Sequence, residues 1–235
     1  LERDGGCWLR RLAVTSDARG CGLGALIVRT AEVDAVARGY DELRVGVRLP
    51  LTDLQQFWRH LGFAEVARHD SWVELARPVP IRRAVPTSGD MVSVGQALGG
   101  LVRAGDLLVL SGDLGAGKTT LTRGLGEGLG VRGQVTSPTF VIARVHPSTV
   151  GGPALVHVDA YRLGSFLEVE DLDLDASLEE SVTVVEWGTG KVEALADSRL
   201  EIEIHRSADE GDEARVVVLR GRGPGWPSPR LASLR

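Results

Sequence analysis

With 235 residues, the chain is longer than most single domains and long enough to form two hydrophobic cores. Its 43% hydrophobic and 25% charged residues are typical of a globular protein and exclude a coiled coil or a largely disordered chain. The net charge of -5 argues against the broad basic surface of a protein that binds nucleic acid directly.

Three further features of the sequence narrow the class of protein. No apolar run approaches the roughly 20 residues of a membrane span, and the N-terminus lacks the pattern of a secretion signal. The two cysteines, Cys7 and Cys21, have no spacing typical of a zinc site or of a disulfide framework. We therefore expect a cytoplasmic protein without a membrane partner. The first residue, Leu1, is not methionine, which indicates a fragment or a misread start.

Residues 1–77 alternate short strands and helices, as an α/β domain does. In chain order, the pattern predicts a strand at 8–14, a glycine-rich turn at 19–24, a helix at 25–38, a strand at 43–47, a helix at 54–61 and a strand at 72–75. Three prolines, Pro78, Pro80 and Pro86, then interrupt regular structure. We therefore place a linker at 78–86.

A second α/β domain is predicted at 87–221, followed by a flexible tail rich in glycine and proline at 222–235. An amphipathic helix at 88–101 precedes a continuously apolar segment at 107–110, which is typical of a buried parallel strand. The elements predicted next are a helix at 119–129, strands at 140–145, 155–158 and 182–185, and hairpin strands near 200–204 and 216–218 around a turn at 208–213. The fold class is therefore α/β, with a mostly parallel sheet and a C-terminal antiparallel hairpin in the second domain.

The segment between the predicted buried strand and the following helix has the pattern G-x-x-x-x-G-K-[ST]. Its residues are Gly112, Asp113, Leu114, Gly115, Ala116, Gly117, Lys118 and Thr119. Glycines allow successive backbone N–H groups to face one anion, and a helix N-terminus adds partial positive charge. Of the 27 basic residues, only Lys118 and Lys191 are lysines, and the other 25 are arginines. A lysine in this loop therefore indicates a task that the larger guanidinium of arginine cannot perform. We predict that Lys118 binds the β- and γ-phosphates of a nucleotide and that Thr119 binds Mg²⁺.

Two acidic residues follow apolar strand segments in the same domain. Asp159 comes after the strand predicted at 155–158, and Glu186 comes after the strand predicted at 182–185. Ligands collect at the carboxyl ends of strands in open α/β sheets. Taken alone, a strand-end carboxylate is more often a turn or cap residue, but two of them beside a phosphate loop predict metal coordination and water positioning.

Four motifs occur in a fixed order in the second domain: GDLGAGKTT at 112–120, SPTF at 137–140, HVDAYR at 157–162 and EWG at 186–188. Together they resemble the TsaE ATPases of bacterial tRNA threonylcarbamoyladenosine biosynthesis, over about residues 87–220. The resemblance implies an enzyme that uses ATP and Mg²⁺ and docks on a pair of proteins, TsaB and TsaD. Its ATP hydrolysis would drive or reset that complex as it modifies the adenosine beside the anticodon, so tRNA would be contacted indirectly.

The same resemblance assigns roles to individual residues. The residues implied to bind ATP beyond the loop itself are Thr120, Ser137, Thr139 and Trp187. Ser137 and Thr139 would lie in a segment that senses the γ-phosphate, whereas Trp187 is equally well interpreted as a buried core residue. Asp159 would hold magnesium through water together with Thr119, and Glu186 would position metal or the attacking water. The implied catalytic residues are Lys118, Asp159 and Glu186.

The glycine-rich turn of the first domain carries a second resemblance. Residues 19–24 (RGCGLG), the strand residues 9–14 before them and residues 57–63 (FWRHLGF) resemble the acetyl-CoA-binding half of GNAT N-acetyltransferases. The residues implied to contact acetyl-CoA through their backbone are Arg19, Gly20, Gly22 and Gly24. The elements that carry the acceptor side in this family are missing from this chain. Trp58 stands where the family often has the tyrosine that protonates the leaving thiolate as a general acid. A domain that only binds acetyl-CoA is therefore as consistent with the sequence as a working enzyme.

The sequence as a whole predicts an ATP hydrolase with low intrinsic turnover, because no candidate for an arginine finger is evident. One alternative is a small-molecule P-loop kinase, which is disfavoured because no lid-like arginine cluster follows Thr119. A second alternative is an N-acetyltransferase with a regulatory nucleotide-binding domain. A third is a nucleotide-gated binding module that barely hydrolyses ATP.

Overall fold

The computed structural model describes residues 6–138, 140–163, 178–192, 195–207 and 213–234. The chain divides into two compact units, one formed by Leu1–Pro80 with Arg220–Leu231 and the other by Ile81–Leu219 with Ala232–Arg235. The strands form two separate sheets, which is the pattern of two α/β domains. Within the described ranges, no helix has the length and apolar character needed to cross a bilayer.

The first unit contains a four-stranded sheet with the strand order β1-β2-β4-β3. Its strands are β1 (Gly6–Trp8), β2 (Glu42–Arg48), β3 (Ala64–Arg68) and β4 (Trp72–Pro78), and its main helices are α1 (Leu23–Ala37) and α2 (Thr52–His60). β1 and β2 are parallel, whereas β4 is antiparallel to both β2 and β3. Alternate residues of the sheet, including Leu43, Val45 and Leu75, belong to one core with Val28 of α1 and Trp58 of α2.

The first strand is shorter than the one predicted at 8–14. Regular pairing ends at Trp8, although the N–H of Leu9 still donates to the carbonyl of Arg44 at 2.8 Å. Arg11 then has a φ of 58°, a left-handed conformation that an extended strand does not accommodate. The alternation of apolar and polar side chains that predicted the strand continues past Trp8, where the backbone leaves the sheet.

The second unit contains a seven-stranded sheet with the strand order β5-β11-β10-β6-β9-β8-β7. Its strands are β5 (Ile81–Val85), β6 (Leu107–Gly112), β7 (Ala143–His146), β8 (Ala154–Asp159), β9 (Ser181–Glu186), β10 (Arg199–Arg206) and β11 (Arg215–Arg222), and its main helices are α3 (Ser88–Gly99) and α4 (Lys118–Leu129). The central strands β10, β6, β9 and β8 are parallel, whereas β7 is antiparallel to β8 and β5 is antiparallel to β11.

The last two strands of this sheet form the predicted C-terminal hairpin. β10 and β11 are neighbours, and the residues between them, 207–214, are too few for the crossover that a parallel pair requires. The N–H of Ser207 donates to the carbonyl of Ala214 at 3.1 Å, which closes the hairpin. Most of the turn predicted at 208–213 lies outside the described residues. The predicted fold class, a mostly parallel α/β sheet with a C-terminal hairpin, is confirmed.

Part of the segment predicted as a linker, 78–86, is a strand. β5 pairs with β11 at the edge of the sheet, and it buries Ile81 and Val85 while Arg82 is exposed. Proline is tolerated beside an edge strand because it removes no hydrogen bond from the interior of the ladder. The prolines that flank this segment therefore delimit a short strand instead of abolishing regular structure.

Glycine residues allow α3 and α4 to pack backbone against backbone. A Cβ atom at Gly95 would lie 2.2 Å from the carbonyl oxygen of Leu121, and one at Gly124 would lie 2.2 Å from that of Val92. No side chain fits at such distances, so both positions require glycine. This close packing fixes α4, which carries Lys118 in its first turn.

The tail predicted to be flexible, 222–235, is folded in the structure as far as residue 234. It contains a short helix, α5 (Ser228–Leu231), followed by a 3-10 turn at Ala232–Leu234. Trp226 is fully buried, and the guanidinium carbon of Arg230 lies 3.8 Å from its ring centroid. Burial of a large apolar side chain contributes roughly 1.5–3 kcal/mol to the free energy of folding. This contribution orders the tail in spite of its glycine and proline content.

Candidate functional site

The glycine-rich motif forms the turn between β6 and α4, where its pattern predicts it. Three of its glycines have positive φ angles, 140° at Gly112, 75° at Gly115 and 112° at Gly117. A Cβ atom at Gly112 would also lie 2.5 Å from the carbonyl oxygen of Ile204. The backbone of this loop therefore depends on glycine, and it leads directly into the partially positive N-terminus of α4.

Lys118 is the buried cation of the loop, with a relative exposure of 5%. Its Nζ donates to the carbonyl oxygens of Gly112 at 2.7 Å and Asp113 at 2.9 Å, and it lies 3.8 Å from the ring centroid of Trp187. Burial lowers the pKa of Lys118 from its ordinary value, while nearby carboxylates, Glu186 foremost, act in the opposite direction. The ammonium is thus held in one place between backbone acceptors and an aromatic face.

The two strand-end carboxylates lie beside each other in the sheet. Asp159 ends β8 and Glu186 ends β9, and the two residues are partners in the parallel register. Both are buried, with relative exposures of 5% and 3%. Oε1 of Glu186 accepts a hydrogen bond from Oγ1 of Thr119 at 2.9 Å, and Oδ1 of Asp159 accepts one from the backbone N–H of Tyr161 at 3.0 Å.

These groups line a single cavity of about 230 Å³. The lining residues are Leu114, Gly115, Gly117, Lys118, Thr119, Thr120, Ser137, Asp159, Glu186 and Trp187. Of the other residues predicted to bind ATP, Asp113 contributes its carbonyl to Lys118, and Ala116 is buried with 1% relative exposure. Thr139 lies outside the described residues. The structure therefore gathers residues from the loop, α4, β8 and β9 around one volume.

The donor set of this cavity fits Mg²⁺. A hydroxyl from Thr119 and carboxylates from Asp159 and Glu186 supply oxygen atoms, which are the ligands that Mg²⁺ prefers. In the described part of the chain, no three histidine, cysteine, aspartate or glutamate side chains cluster as metal ligands. Mg²⁺ usually completes its coordination with nucleotide phosphates and water.

The structure also places residues at the site that the sequence analysis did not single out. His157 is fully buried and has a ring nitrogen 2.9 Å from Oε1 of Glu186. The ring of Tyr161 lies 5.2 Å from that of Trp187, which has a φ of 60°. A neighbouring cavity of about 170 Å³ shares Gly115, Gly117 and Thr120 with the site. Its other lining residues are Thr87, Ser88, Met91, Ala116, Glu213 and Arg215. Of the residues missed by the sequence analysis, His157 and Tyr161 had a signal in the sequence, since both belong to the HVDAYR segment.

The first unit has a cavity of its own, with a volume of about 680 Å³. Arg19, Gly20 and Gly24 of the glycine-rich turn line it, and Gly22 precedes α1 as its N-terminal cap residue. Trp58, at the position of the tyrosine in many GNAT enzymes, is 4% exposed and belongs to the core of this unit. The turn therefore borders a space large enough for a ligand, and Trp58 does not line it.

A buried strand, a glycine-rich phosphate loop and a helix, with two carboxylates at the ends of adjacent strands, define the P-loop class of nucleotide-binding proteins. The family model for the threonylcarbamoyl adenosine biosynthesis protein TsaE matches residues 85–216, which is more than half of the chain. The chain belongs to the TsaE family.

Curated relatives carry the same name. A tRNA threonylcarbamoyladenosine biosynthesis protein TsaE from Streptomyces coelicolor is 63% identical over 146 residues, covering 61% of this chain and 99% of that protein. The TsaE of Mycobacterium tuberculosis is 46% identical over 129 residues, covering 52% of this chain and 77% of that protein. A crystal structure of Bacillus subtilis YdiB is 30% identical, with a TM-score of 0.52, and the match covers 66% of this chain and 93% of that one.

The N-terminal part matches a different family. The model of the acetyltransferase (GNAT) family matches residues 2–63, which include the whole glycine-rich turn at 19–24. The chain is therefore a fusion of a GNAT-like segment with a TsaE segment, as the two resemblances in the sequence predict.

Proposed function

We propose that this protein acts in tRNA threonylcarbamoyladenosine biosynthesis as the subunit that binds and hydrolyses ATP. The proposal rests above all on the convergence of Lys118, Thr119, Asp159 and Glu186 around one cavity at the carboxyl ends of parallel strands. Relatives with the name of that pathway at up to 63% identity support it. We place the activity in the cytoplasm, where tRNA modification takes place.

In the proposed reaction, the loop amides and the ammonium of Lys118 bind the β- and γ-phosphates. Thr119 and Asp159 hold Mg²⁺, which neutralises charge on the phosphate oxygens when it is bound. Glu186 orients the attacking water through its carboxylate. The water oxygen bonds to the γ-phosphorus, the bond to the bridging oxygen breaks, and ADP leaves with the electron pair, while the proton that the water loses passes to an oxygen of the released phosphate or to solvent. Ser137 and Thr139 respond to the γ-phosphate, and Trp187 packs against the nucleotide.

Low intrinsic turnover is part of this proposal. Among the described residues, no arginine lines the cavity around Lys118. The guanidinium of Arg162 lies instead 5.2 Å from the ring centroid of Phe140. Stabilisation of the transferring phosphate by an arginine typically raises turnover by several orders of magnitude. We propose that a partner completes the site.

Exposed apolar side chains near the cavity support docking of a protein partner, which we propose to be the TsaB–TsaD pair. Leu114, at the tip of the loop, is 83% exposed, and Phe140 and Tyr161 are 87% and 63% exposed. Leu114 lines the cavity, and Tyr161 packs on Trp187, which also lines it. Large exposed apolar side chains beside a functional cavity mark interaction sites more often than isolated ones elsewhere on the surface do. The tRNA would be contacted through the complex, in keeping with the net charge of -5.

A pull-down with purified TsaB and TsaD, with and without ATP, tests the proposed role. We expect association in at least one nucleotide state, and we expect Leu114→Ser or Phe140→Ser to weaken it about tenfold, as loss of a central apolar contact does. Val150→Ser is the matched control, because Val150 is 71% exposed but lies between β7 and β8, at the ends of these strands away from Asp159. No association in either state would remove the support for the proposed partners.

We also propose that the N-terminal segment, 1–77, binds acetyl-CoA. The observation that favours this second function is the cavity of about 680 Å³ bordered by Arg19, Gly20 and Gly24. Calorimetric titration of the full-length protein should detect binding of acetyl-CoA that Arg19→Ala weakens about tenfold, because the guanidinium would add a charged hydrogen bond to a phosphate that the backbone of the turn also contacts. The exposed Arg29 of α1 provides the control, as Arg29→Ala. Equal affinity of the unaltered protein, Arg19→Ala and Arg29→Ala would argue against binding of acetyl-CoA at the glycine-rich turn. No binding of acetyl-CoA by the unaltered protein would contradict the proposed second function.

A further inference from the structure

His157 is a buried titratable residue that the proposed reaction does not use. It lies in the middle of β8, two residues before Asp159, and its relative exposure is 0%. It does not line the cavity that contains Lys118, so it does not meet the nucleotide directly. Its side chain contacts the site through a hydrogen bond of 2.9 Å between Nε2 of His157 and Oε1 of Glu186. The side-chain contact that connects His157 to the site is therefore its hydrogen bond to Glu186.

The chemistry of the two groups determines which atom donates. An ionised carboxylate only accepts hydrogen bonds, so Nε2 of His157 carries the hydrogen and donates it to Glu186. The other ring nitrogen, Nδ1, has no hydrogen-bond partner among the described residues. The hydrogen bond to Glu186 is thus the side-chain contact that orients this fully buried imidazole.

The same oxygen of Glu186 receives a second hydrogen bond. Oγ1 of Thr119 donates to Oε1 at 2.9 Å, and neither bond involves Oε2. Two donors from different elements, α4 and β8, therefore define the rotation of one carboxylate. Thr119 belongs to the phosphate loop and would share its hydroxyl with Mg²⁺. His157 is enclosed in the sheet and is the donor that does not depend on what the loop binds.

We propose that His157 is a positioning residue, which holds the Glu186 carboxylate in the orientation needed to place the attacking water. This inference rests on the proposed ATP hydrolysis. Hydrogen-bond donors behind a liganding or catalytic carboxylate typically change activity 10- to 100-fold when they are removed. His157 acts on the chemical step and not on nucleotide affinity, because Lys118 and the loop amides bind the phosphates without it.

Steady-state hydrolysis and equilibrium binding of ATP by the full-length protein, assayed with its partner proteins, test this role. His157→Leu keeps a similar volume but removes the donor, and it should lower kcat about tenfold while the Kd for ATP stays within about twofold. His157→Gln retains an N–H at a similar reach, and it should recover most of that loss. Thermal unfolding of each variant shows which of them remain folded, and His157→Gln keeps the test decisive if His157→Leu does not fold.

A double-mutant cycle separates positioning from a merely structural role. In a Glu186→Ala background the carboxylate is gone, so His157→Leu should lower hydrolysis no further. If the full tenfold loss persists in that background, or if His157→Gln is as slow as His157→Leu, the inference is overturned. Failure of the unaltered protein to bind or hydrolyse ATP would instead overturn the proposed function, and this inference with it.

Discussion

Replacing Lys118 with alanine is expected to weaken ATP binding about a hundredfold, or by about 3 kcal/mol. Lys118 is 5% exposed and its ammonium is already held between the carbonyl oxygens of Gly112 and Asp113, so its charge lies where phosphates would bind. Removal of a charged donor from such a desolvated position loses both the hydrogen bonds and the charge attraction. The measurement is the Kd for ATP with Mg²⁺, by calorimetry on the full-length protein.

Two further variants make this experiment specific. Lys118→Arg should not restore binding, because a planar guanidinium does not reproduce the hydrogen bonds that the compact ammonium makes to the carbonyl oxygens of Gly112 and Asp113 in this buried position. Arg103→Ala removes an exposed cation of the same unit that does not line the cavity, and it should leave the Kd unchanged. If Lys118→Ala binds ATP as tightly as the unaltered protein, the phosphate-binding role of the loop is contradicted.

The second large effect is expected from Glu186→Gln, which should lower ATP hydrolysis about a hundredfold while ATP binding changes only a few-fold. The substitution keeps the size of the side chain but removes the negative charge that, in the proposed reaction, would orient the attacking water. Since Glu186 ends β9 and is not part of the glycine-rich loop, the contacts that bind the phosphates remain. Phosphate release and nucleotide affinity, measured on the same preparation with partner proteins, separate the two effects.

Glu127→Gln is the matched control for this substitution. Glu127 is an exposed residue of α4 that accepts a hydrogen bond from Gln96 at 2.9 Å and does not line the cavity. The Glu127→Gln variant should hydrolyse ATP at the rate of the unaltered protein. Hydrolysis by Glu186→Gln at the unaltered rate would remove Glu186 from the mechanism. A protein that binds ATP but releases no phosphate in any variant would be a nucleotide-gated binding module.

The fusion gives the two proposed ligands separate sites. The cavity bordered by Arg19, Gly20 and Gly24 lies in the first unit, and the cavity around Lys118 lies in the second. Both cavities are bordered by a glycine-rich turn that leads from a strand region into a helix N-terminus. The binding tests above therefore address each ligand with a substitution confined to one unit.

The sequence by itself determined the features that are local in the chain. The turn from β6 through Gly112 and Gly117 into α4 was predictable because a phosphate loop encodes its strand, its glycines and its helix within about 15 consecutive residues. The parallel sheet and the hairpin were predictable for a similar reason, since buried strands and alternating strands differ in their hydrophobic pattern.

Only the tertiary structure decided which distant residues meet. The bond between His157 and Glu186 depends on β8 and β9 being neighbours in one register, and no local pattern specifies that pairing. The strand β5 and the folded segment around Trp226 were missed because proline and glycine content reports only local backbone preferences, whereas burial against distant residues supplies the stabilisation. Likewise, β1 ends at Trp8 and Arg11 has a left-handed φ, although the alternation of apolar and polar side chains continues beyond that point.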